Sequence, residues 1–243
     1  MGGIESIGSQ LISRQEPVET LHRLPLWIIK TGLLDYRVAL GLQQELWRNR
    51  RDGTSHDILL ILQHHPTITL GRGGDTMNLL LEKRELKNKG IKFYVTDRGG
   101  DITYHGPGQL IGYPIVNLKD HNISSRDFIK SLEEVIILTL RGLGIKANRV
   151  PNLIGLWVGE KKVASIGVRI RKWITTHGFA LNVNNNLEPF RYIHPCGIKG
   201  LGVTSLKEIS GREMDYGSIV DEIAKNFAYV FNMKINKISN MYV

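Results

Sequence analysis

The sequence contains a single cysteine, Cys196, in the run HPCGI. A lone cysteine is commonly a small buried apolar residue, but this one lies between Pro195 and Gly197. A turn of that composition can present a thiol and offer backbone N–H groups to an oxyanion. A nucleophilic thiol also needs a nearby ammonium or imidazole to stabilise its thiolate. Cys196 is therefore a candidate nucleophile whose partner must come from elsewhere in the chain.

Two further segments carry groups that could act with a thiol. Lys162 begins the apolar run of GEKKVASIGVRI, where a lysine is usually a solvated strand end. His177 lies in TTHGFALN and is equally compatible with a hydrogen-bonded structural histidine. Taken singly, neither residue decides between chemistry and structure.

A glycine-dense segment, RGGDITYHGPGQ, runs from Arg98 to Gln109. Glycines let a backbone bend sharply and approach a ligand closely, and Arg98 and His105 add a cation and a hydrogen-bonding ring. The spacing matches neither a Walker loop nor a dinucleotide fingerprint. The segment is either a substrate-binding loop or an ordinary tight loop.

The composition indicates one globular domain. With 243 residues, 42% hydrophobic and 23% charged, the chain is unlike a disordered segment, a collagen or a coiled coil. One cysteine excludes an internal disulfide and a cysteine-based zinc cluster. No apolar run approaches the ~20 residues that span a bilayer, and the first residues lack the pattern of a secretory signal. We expect a cytoplasmic protein.

The net charge of +9 leaves three interpretations open. It could indicate nucleic-acid binding, a solvated basic surface, or a face that docks an acidic protein. No RNA-binding, zinc-finger or basic-zipper pattern accompanies it. Composition alone does not choose among the three.

Hydrophobic periodicity predicts the elements that must position these residues. Helices are predicted at 35–50, 80–89, from Ser124 or Ser125 to 142 or 144, and 218–231. Strands are predicted at 58–63, 67–70, 92–96, 112–118, 153–158, 162–170 and 175–183, with a loop at 99–108. The pattern favours one α/β domain at 24–236, preceded by a polar extension at 1–23 and followed by a tail at 237–243.

Together, these segments resemble the octanoyltransferases of lipoate biosynthesis. The matching stretches are HHPTITLGR, RGGDITYHGPGQLIGYPIVNL, GLWVGEKKVASIGVRI, WITTHGFALNVN and IHPCGIKGLGVTSL. They extend from Leu26 to Leu206 with few gaps. The resemblance implies an α/β (α+β) single domain, a mixed β-sheet flanked by helices as in biotin and lipoate ligases.

The resemblance also implies an activity and its residues. The enzyme would transfer an octanoyl group from octanoyl-acyl carrier protein to a lipoyl-domain lysine, without ATP, cofactor or metal. Cys196 would be the acyl-thioester nucleophile and Lys162 its activating partner. The substrate site would comprise Arg98, Gly99, Gly100, Asp101, Ile102, Thr103, Tyr104, His105, Ser165, Ile166, Gly167, Gly178, Phe179 and Ala180.

The implied partners are octanoyl-acyl carrier protein and the lipoyl domains of 2-oxoacid dehydrogenase E2 subunits and glycine cleavage H protein. We expect a monomer that binds neither nucleic acid nor membrane. Three alternatives remain. An ATP-dependent lipoate–protein ligase shares the fold but needs no thiol, and an octanoyl amidotransferase also uses a cysteine. A non-catalytic acyl- or nucleic-acid-binding module would leave Cys196 and Lys162 without a role.

Overall fold

The computed structural model describes residues 23–241, which form a mixed α/β fold around two β-sheets. The larger sheet has the strand order β11-β1-β2-β6-β10-β9-β8-β7 and the smaller one β4-β3-β5. The strands are β1 Leu24–Leu34, β2 Asp57–His64, β3 Thr67–Leu70, β4 Lys92–Val95, β5 Ile102–His105, β6 Gln109–Ile115, β7 Asn148–Val150, β8 Leu153–Val158, β9 Lys161–Arg171, β10 Ile174–Asn182 and β11 Met233–Asn240.

Among residues 23–241, five α-helices flank the sheets, and most of these helices begin at a capping side chain. Asp35, Ser124 and Asp215 each accept a hydrogen bond from a backbone N–H of the following first turn, which satisfies an otherwise free donor. The helices are α1 Tyr36–Arg51, α2 Lys83–Asn88, α3 Ser125–Gly142, α4 Leu206–Ser210 and α5 Tyr216–Val230.

The larger sheet is covered on both faces, which explains why its central strands are buried almost throughout. On one face, Phe128 of α3 and Phe227 of α5 pack in a cluster with Leu59 of β2. On the other face, Trp47 of α1 packs in a cluster with Leu60 of the same strand. Because neighbouring residues of β2 point to opposite faces, every position of this strand except Gln63 is buried.

The fold class and most elements agree with the sequence, with three differences. The segment 99–108, predicted as a loop, contains the four-residue strand β5, which pairs antiparallel with β3. The glycines on both sides of β5 made the segment resemble a loop. The strand predicted at 112–118 is observed as β6, three residues earlier. The third difference is that the helical and strand patterns did not predict β1, β7, α4 and β11. Lys237–Asn240 of β11 pair with Trp27–Lys30 of β1.

The predicted domain end at residue 236 therefore falls inside a strand of the sheet. The polar extension predicted at 1–23 lies, except for residue 23, outside the described residues. Within 23–241, no helix is both long and apolar enough to cross a membrane.

Candidate active site

Lys162 is a buried lysine near the start of β9, held by its backbone as well as by its side chain. Its N–H donates to the Gly202 carbonyl over 2.8 Å, and its carbonyl accepts from the Thr204 N–H over 2.9 Å. These bonds fasten β9 to the chain that follows Cys196. The ammonium is desolvated yet satisfied, because Nζ donates to the Ile154 carbonyl over 2.9 Å and lies 4.8 Å from the Trp157 ring centroid.

Cys196 occupies a single helical turn, Pro195–Gly197, with an unusual backbone. Its φ of 58° and the φ of 72° at Gly197 place two successive residues in the left-handed region. A non-glycine residue there is strained and persists only where its surroundings hold it. Here Gly197 N–H donates to the His194 carbonyl over 2.9 Å, so the turn is closed by its own backbone.

The closed turn changes one expectation from the sequence. The N–H groups of Gly197 and Ile198 donate to the His194 and Pro195 carbonyls, so both are already engaged rather than free for an oxyanion. The hydrogen-bond donor that contacts the thiol is the Lys162 ammonium, not one of these backbone N–H groups.

The ammonium and the thiol are in direct contact. Lys162 Nζ lies 3.0 Å from Cys196 Sγ, although the residues are 34 positions apart in the chain. An ammonium at this distance stabilises a thiolate electrostatically and through a charge-assisted hydrogen bond. The sequence proposed this pairing, and the fold brings the two groups together.

Asp101, which directly precedes β5, lies against the cysteine turn. Its Oδ2 accepts from Asn78 Nδ2 over 2.7 Å and its Oδ1 from the Ile102 N–H over 2.6 Å. The same carboxylate lies so close to Gly197 that a Cβ at this position would sit 2.4 Å from Oδ2. Gly197 therefore has to be glycine for both its conformation and its contacts.

Arg98 places a buried cation beside the same site. Its guanidinium donates to Thr69 Oγ1, to the Thr69 carbonyl over 2.7 Å and to the Gly99 carbonyl over 3.0 Å. Burial lowers the pKa of Arg98, and the negative charge of a Cys196 thiolate opposes this shift. A buried cation bonded to neutral oxygens alone favours an anion or strong dipole nearby.

A pocket between the two sheets brings most of the predicted residues together. Of the predicted set, only Gly99, Tyr104 and Lys162 are absent from its lining, and Lys162 reaches it through Cys196. Gly99 bonds β9 through its N–H to the Val168 carbonyl, and Tyr104 packs edge-on against Phe190 in the core. The lining residues are Tyr36, Arg98, Gly100, Asp101, Ile102, Thr103, His105, Tyr113, Ser165, Ile166, Gly167, His177, Gly178, Phe179, Ala180 and Cys196.

Three lining residues were not assigned from the sequence: Tyr36, Tyr113 and His177. Tyr36 lies outside the motif stretches, and Tyr113 lies inside one of them but was not assigned to the site. His177 was noticed, but its partner Asp97 is 80 positions away. The two are joined by a 2.7 Å hydrogen bond from Nε2 to Oδ1 that the sequence does not reveal.

The site combines a thiol, a lysine and a pocket whose lining is mostly uncharged. Burial raises the pKa of Tyr36 to about 12 and lowers that of His177 to about 3, so both lining groups are neutral at pH 7. Such a cavity accepts an apolar chain, while Lys162 and Cys196 can form and break an acyl bond at its edge. The geometry thus places a thiol–ammonium pair at the edge of a pocket that is suited to an acyl chain.

Comparison with known proteins agrees with that class. Residues 35–228 match the family described as the lipoyl protein ligase A/B catalytic domain. Solved structures with the same fold include a lipoate-protein ligase A bound with ATP, at a TM-score of 0.74 and 16% identity over 90% of this chain and 89% of that one. A lipoate protein ligase from Thermoplasma acidophilum gives 0.65 and 17%, covering 90% and 87%. At these identities the likeness concerns the fold alone.

Closer relatives narrow the assignment. An octanoyltransferase from Solibacter usitatus is 45% identical over 204 residues, which is 84% of this chain and 92% of the relative. One from Desulforamulus reducens is 41% identical over 212 residues, or 87% and 93%. The chain belongs to the octanoyltransferase family, whose members are acyltransferases. It carries the lipoyl protein ligase A/B catalytic domain. The resemblance drawn from the sequence motifs is confirmed.

Proposed function

We propose that the protein moves an octanoyl group from octanoyl-acyl carrier protein to a lysine of a lipoyl domain, through a thioester on Cys196 and without ATP. The observation that carries the proposal is the 3.0 Å contact between Lys162 Nζ and Cys196 Sγ at the edge of a buried pocket. We infer that the transferred acyl group is octanoyl because the relatives are named octanoyltransferases.

In the loading step, the Cys196 thiolate attacks the carbonyl carbon of the octanoyl thioester. A bond forms between Sγ and that carbon, and the bond to the carrier's sulfur breaks. The departing thiolate takes a proton from Lys162, which leaves an uncharged amine beside an uncharged thioester. One thioester replaces another, so no activation by ATP is needed.

In the transfer step, the amine of the acceptor lysine attacks the same carbon as free base. Lys162 accepts the proton that the amine loses, and the bond between the carbon and Cys196 Sγ breaks. The product is an amide, and the ammonium–thiolate pair is restored. One lysine therefore serves as acid in the first step and base in the second.

The pocket suits the octanoyl chain because its walls are largely uncharged. Ile166 and Phe179 offer apolar surface, and the methylenes of the chain would be stabilised by leaving water. Arg98 adds a second buried positive charge at the site, beside that of Lys162, and would favour the anionic state of the reacting groups.

The acceptors in this proposal are the lipoyl domains of 2-oxoacid dehydrogenase E2 subunits and of glycine cleavage H protein. A working thiol requires a reducing compartment, so we place the reaction in the cytoplasm. We infer a monomer, because one chain supplies Lys162, Cys196 and the whole pocket.

The test is incubation with octanoyl-acyl carrier protein and an apo lipoyl domain in the absence of ATP, followed by intact-protein mass spectrometry. We expect an octanoyl adduct on the enzyme and product on the lipoyl domain. Because Cys196 is the only cysteine of the sequence, Cys196→Ser should abolish both. Strict dependence on ATP and free octanoic acid would favour a ligase instead. Adduct formation from an octanoylated lipoyl protein, but not from the carrier, would favour an amidotransferase.

A second pair of variants tests the lysine. Lys162→Met preserves the length of the side chain but removes its charge, and we expect loading to slow by about 10²-fold or more. Lys161→Met is the matched control, because the neighbouring lysine is exposed and should load normally. Equal loading rates in the two variants would remove the proposed role of Lys162.

A further inference from the structure

A buried carboxylate lies behind the active-site lysine. Glu133, on α3, is 5% exposed and does not touch the thiol or the pocket. Its Oε1 accepts a hydrogen bond from the Gly155 N–H over 3.1 Å. Burying a carboxylate is costly unless hydrogen bonds and a paired cation offset the loss of hydration.

The partner of Glu133 belongs to the peptide group that also holds Lys162. The N–H of Gly155 and the carbonyl of Ile154 are the two ends of one peptide unit, which is planar and rigid. The carbonyl accepts from Lys162 Nζ over 2.9 Å, and that Nζ lies 3.0 Å from Cys196 Sγ. Fixing the N–H end of this peptide therefore fixes the carbonyl end as well.

Regular strand geometry does not fix the orientation of the Ile154–Gly155 peptide. Gly155 has a φ of 126°, a conformation open to glycine only, and a Cβ there would lie 2.6 Å from Lys162 Cε. A register shift between Leu156 and Trp157 interrupts the ladder of β8 with β9 next to this peptide. The hydrogen bond that the Gly155 N–H donates to Glu133 restrains the peptide from the side of α3.

Glu133 is itself held in place by a cation. Its Oε2 accepts from Arg149 Nε over 2.8 Å, and the second carboxylate, Glu134, accepts from Nη2 of the same arginine over 2.9 Å. Glu133 thus has one oxygen on the arginine and one on the peptide, whereas Glu134 has only the arginine.

We propose that Glu133 is a positioning residue for the Lys162–Cys196 pair. It orients and polarises the Ile154–Gly155 peptide so that its carbonyl holds the lysine ammonium against the sulfur. A carboxylate on the N–H of an amide makes its carbonyl a stronger acceptor, because linked hydrogen bonds polarise one another. The proposal deepens the proposed function, on which its catalytic meaning rests.

The experiment measures alkylation of Cys196 by iodoacetamide as a function of pH, since only the thiolate reacts. In Glu133→Ala we expect the rate at pH 7 to fall on the order of tenfold, as for the loss of one hydrogen bond to a charged group, and the rate–pH curve to move to higher pH. Glu134→Ala removes a carboxylate from the same arginine but not from the peptide. It should match the unaltered protein.

Glu133→Gln tests the same idea with less disturbance of the core. The amide oxygen of Gln can still accept from the Gly155 N–H. The rate of Cys196 alkylation at pH 7 should therefore be higher than in Glu133→Ala but at least twofold lower than in Glu134→Ala. Circular dichroism and the melting temperature verify that each variant is folded. If Glu133→Ala does not fold, the comparison of Glu133→Gln with Glu134→Ala decides. Identical rate–pH curves in those two variants would overturn the proposal.

This readout uses no octanoyl substrate, so it is separable from the proposed function. An unaltered enzyme that fails to take octanoyl from the carrier would refute the function and leave the alkylation order intact. Normal octanoyl loading with equal alkylation curves would refute only the role of Glu133.

Discussion

Burial determines the charge of three histidines near the pocket. It lowers the pKa of His64 to about 4, and those of His105 and His177 to about 3. All three are therefore neutral at pH 7, and their ring nitrogens serve in hydrogen bonds, as His64 Nε2 does with the Tyr113 hydroxyl over 2.7 Å. Keeping them neutral preserves an uncharged wall for an apolar ligand.

These pKa values predict how stability depends on pH. In the unfolded chain the three histidines bind protons near pH 6.5, whereas in the folded protein they remain neutral until about pH 4 or below. The unfolded state thus binds more protons, and the free energy of unfolding should fall as pH drops from 6.5 towards 4. The expected slope is up to about 1.4 kcal/mol per pH unit for each histidine. Urea unfolding at several pH values measures it.

The variant that tests the cause is His105→Gln, since Gln does not titrate. His105 Nδ1 lies 2.8 Å from Gln109 Oε1, a contact that an amide can replace as a donor. The variant should lose about one third of the slope between pH 6.5 and 4. A slope equal to that of the unaltered protein would show that His105 does not contribute to it.

At the scale of elements, the β8–β9 hairpin carries the lysine and the peptide that holds it. Gly155→Ala would place a Cβ 2.5 Å from the Ala164 carbonyl and 2.6 Å from Lys162 Cε, at a φ that disfavours alanine. We expect a loss of about 2–4 kcal/mol in the free energy of unfolding, from steric conflict and backbone strain. Octanoyl loading should slow as well, because the lysine must move.

Gly159→Ala in the same hairpin is the control. Gly159 also has a positive φ, of 57°, but a Cβ there would meet nothing within 4 Å. Gly159→Ala should lower the free energy of unfolding by only about 1 kcal/mol and leave the rate of octanoyl loading unchanged. Denaturant unfolding and single-turnover loading measure both variants, and equal effects would mean that the contacts of Gly155 are unimportant.

The elements also show where sequence patterns suffice and where they do not. The apolar stripe of α3 and the strand Leu153–Val158 are local signals, and both appear at or within a residue of the predicted bounds. β5 is hidden among glycines, and its strand character depends on pairing with β3. β11 is mostly half-buried or exposed and gains its place from a long-range pairing with β1.

The candidate site divides in the same way. Cys196 and Lys162 stand in distinctive motifs, so the sequence could propose them. Glu133 and Tyr36 stand in ordinary helical patterns, and their importance arises from contacts with residues that are distant in the chain. A contact such as that of Glu133 with Gly155, 22 positions apart and across two elements, leaves no local trace.

At the scale of the whole molecule, the net charge of +9 predicts how the enzyme meets an acidic partner. Attraction between opposite net charges raises the rate of encounter, and added salt shortens its range from ~30 Å at 0.01 M to ~10 Å at 0.1 M. We therefore expect kcat/KM for octanoyl-acyl carrier protein to fall about tenfold or more between these low and moderate salt concentrations, with kcat little changed.

Octanoyl-pantetheine is the matched donor for this prediction, because it presents the same thioester without the protein or any charge. Its kcat/KM should stay constant over the same range of salt, since chemistry within the pocket is shielded from the solvent ions. A parallel decline for both donors would place the salt effect on the enzyme's chemistry or folding. A constant value for the carrier would mean that the basic charge is a solvated surface and that the encounter depends on shape and apolar contacts.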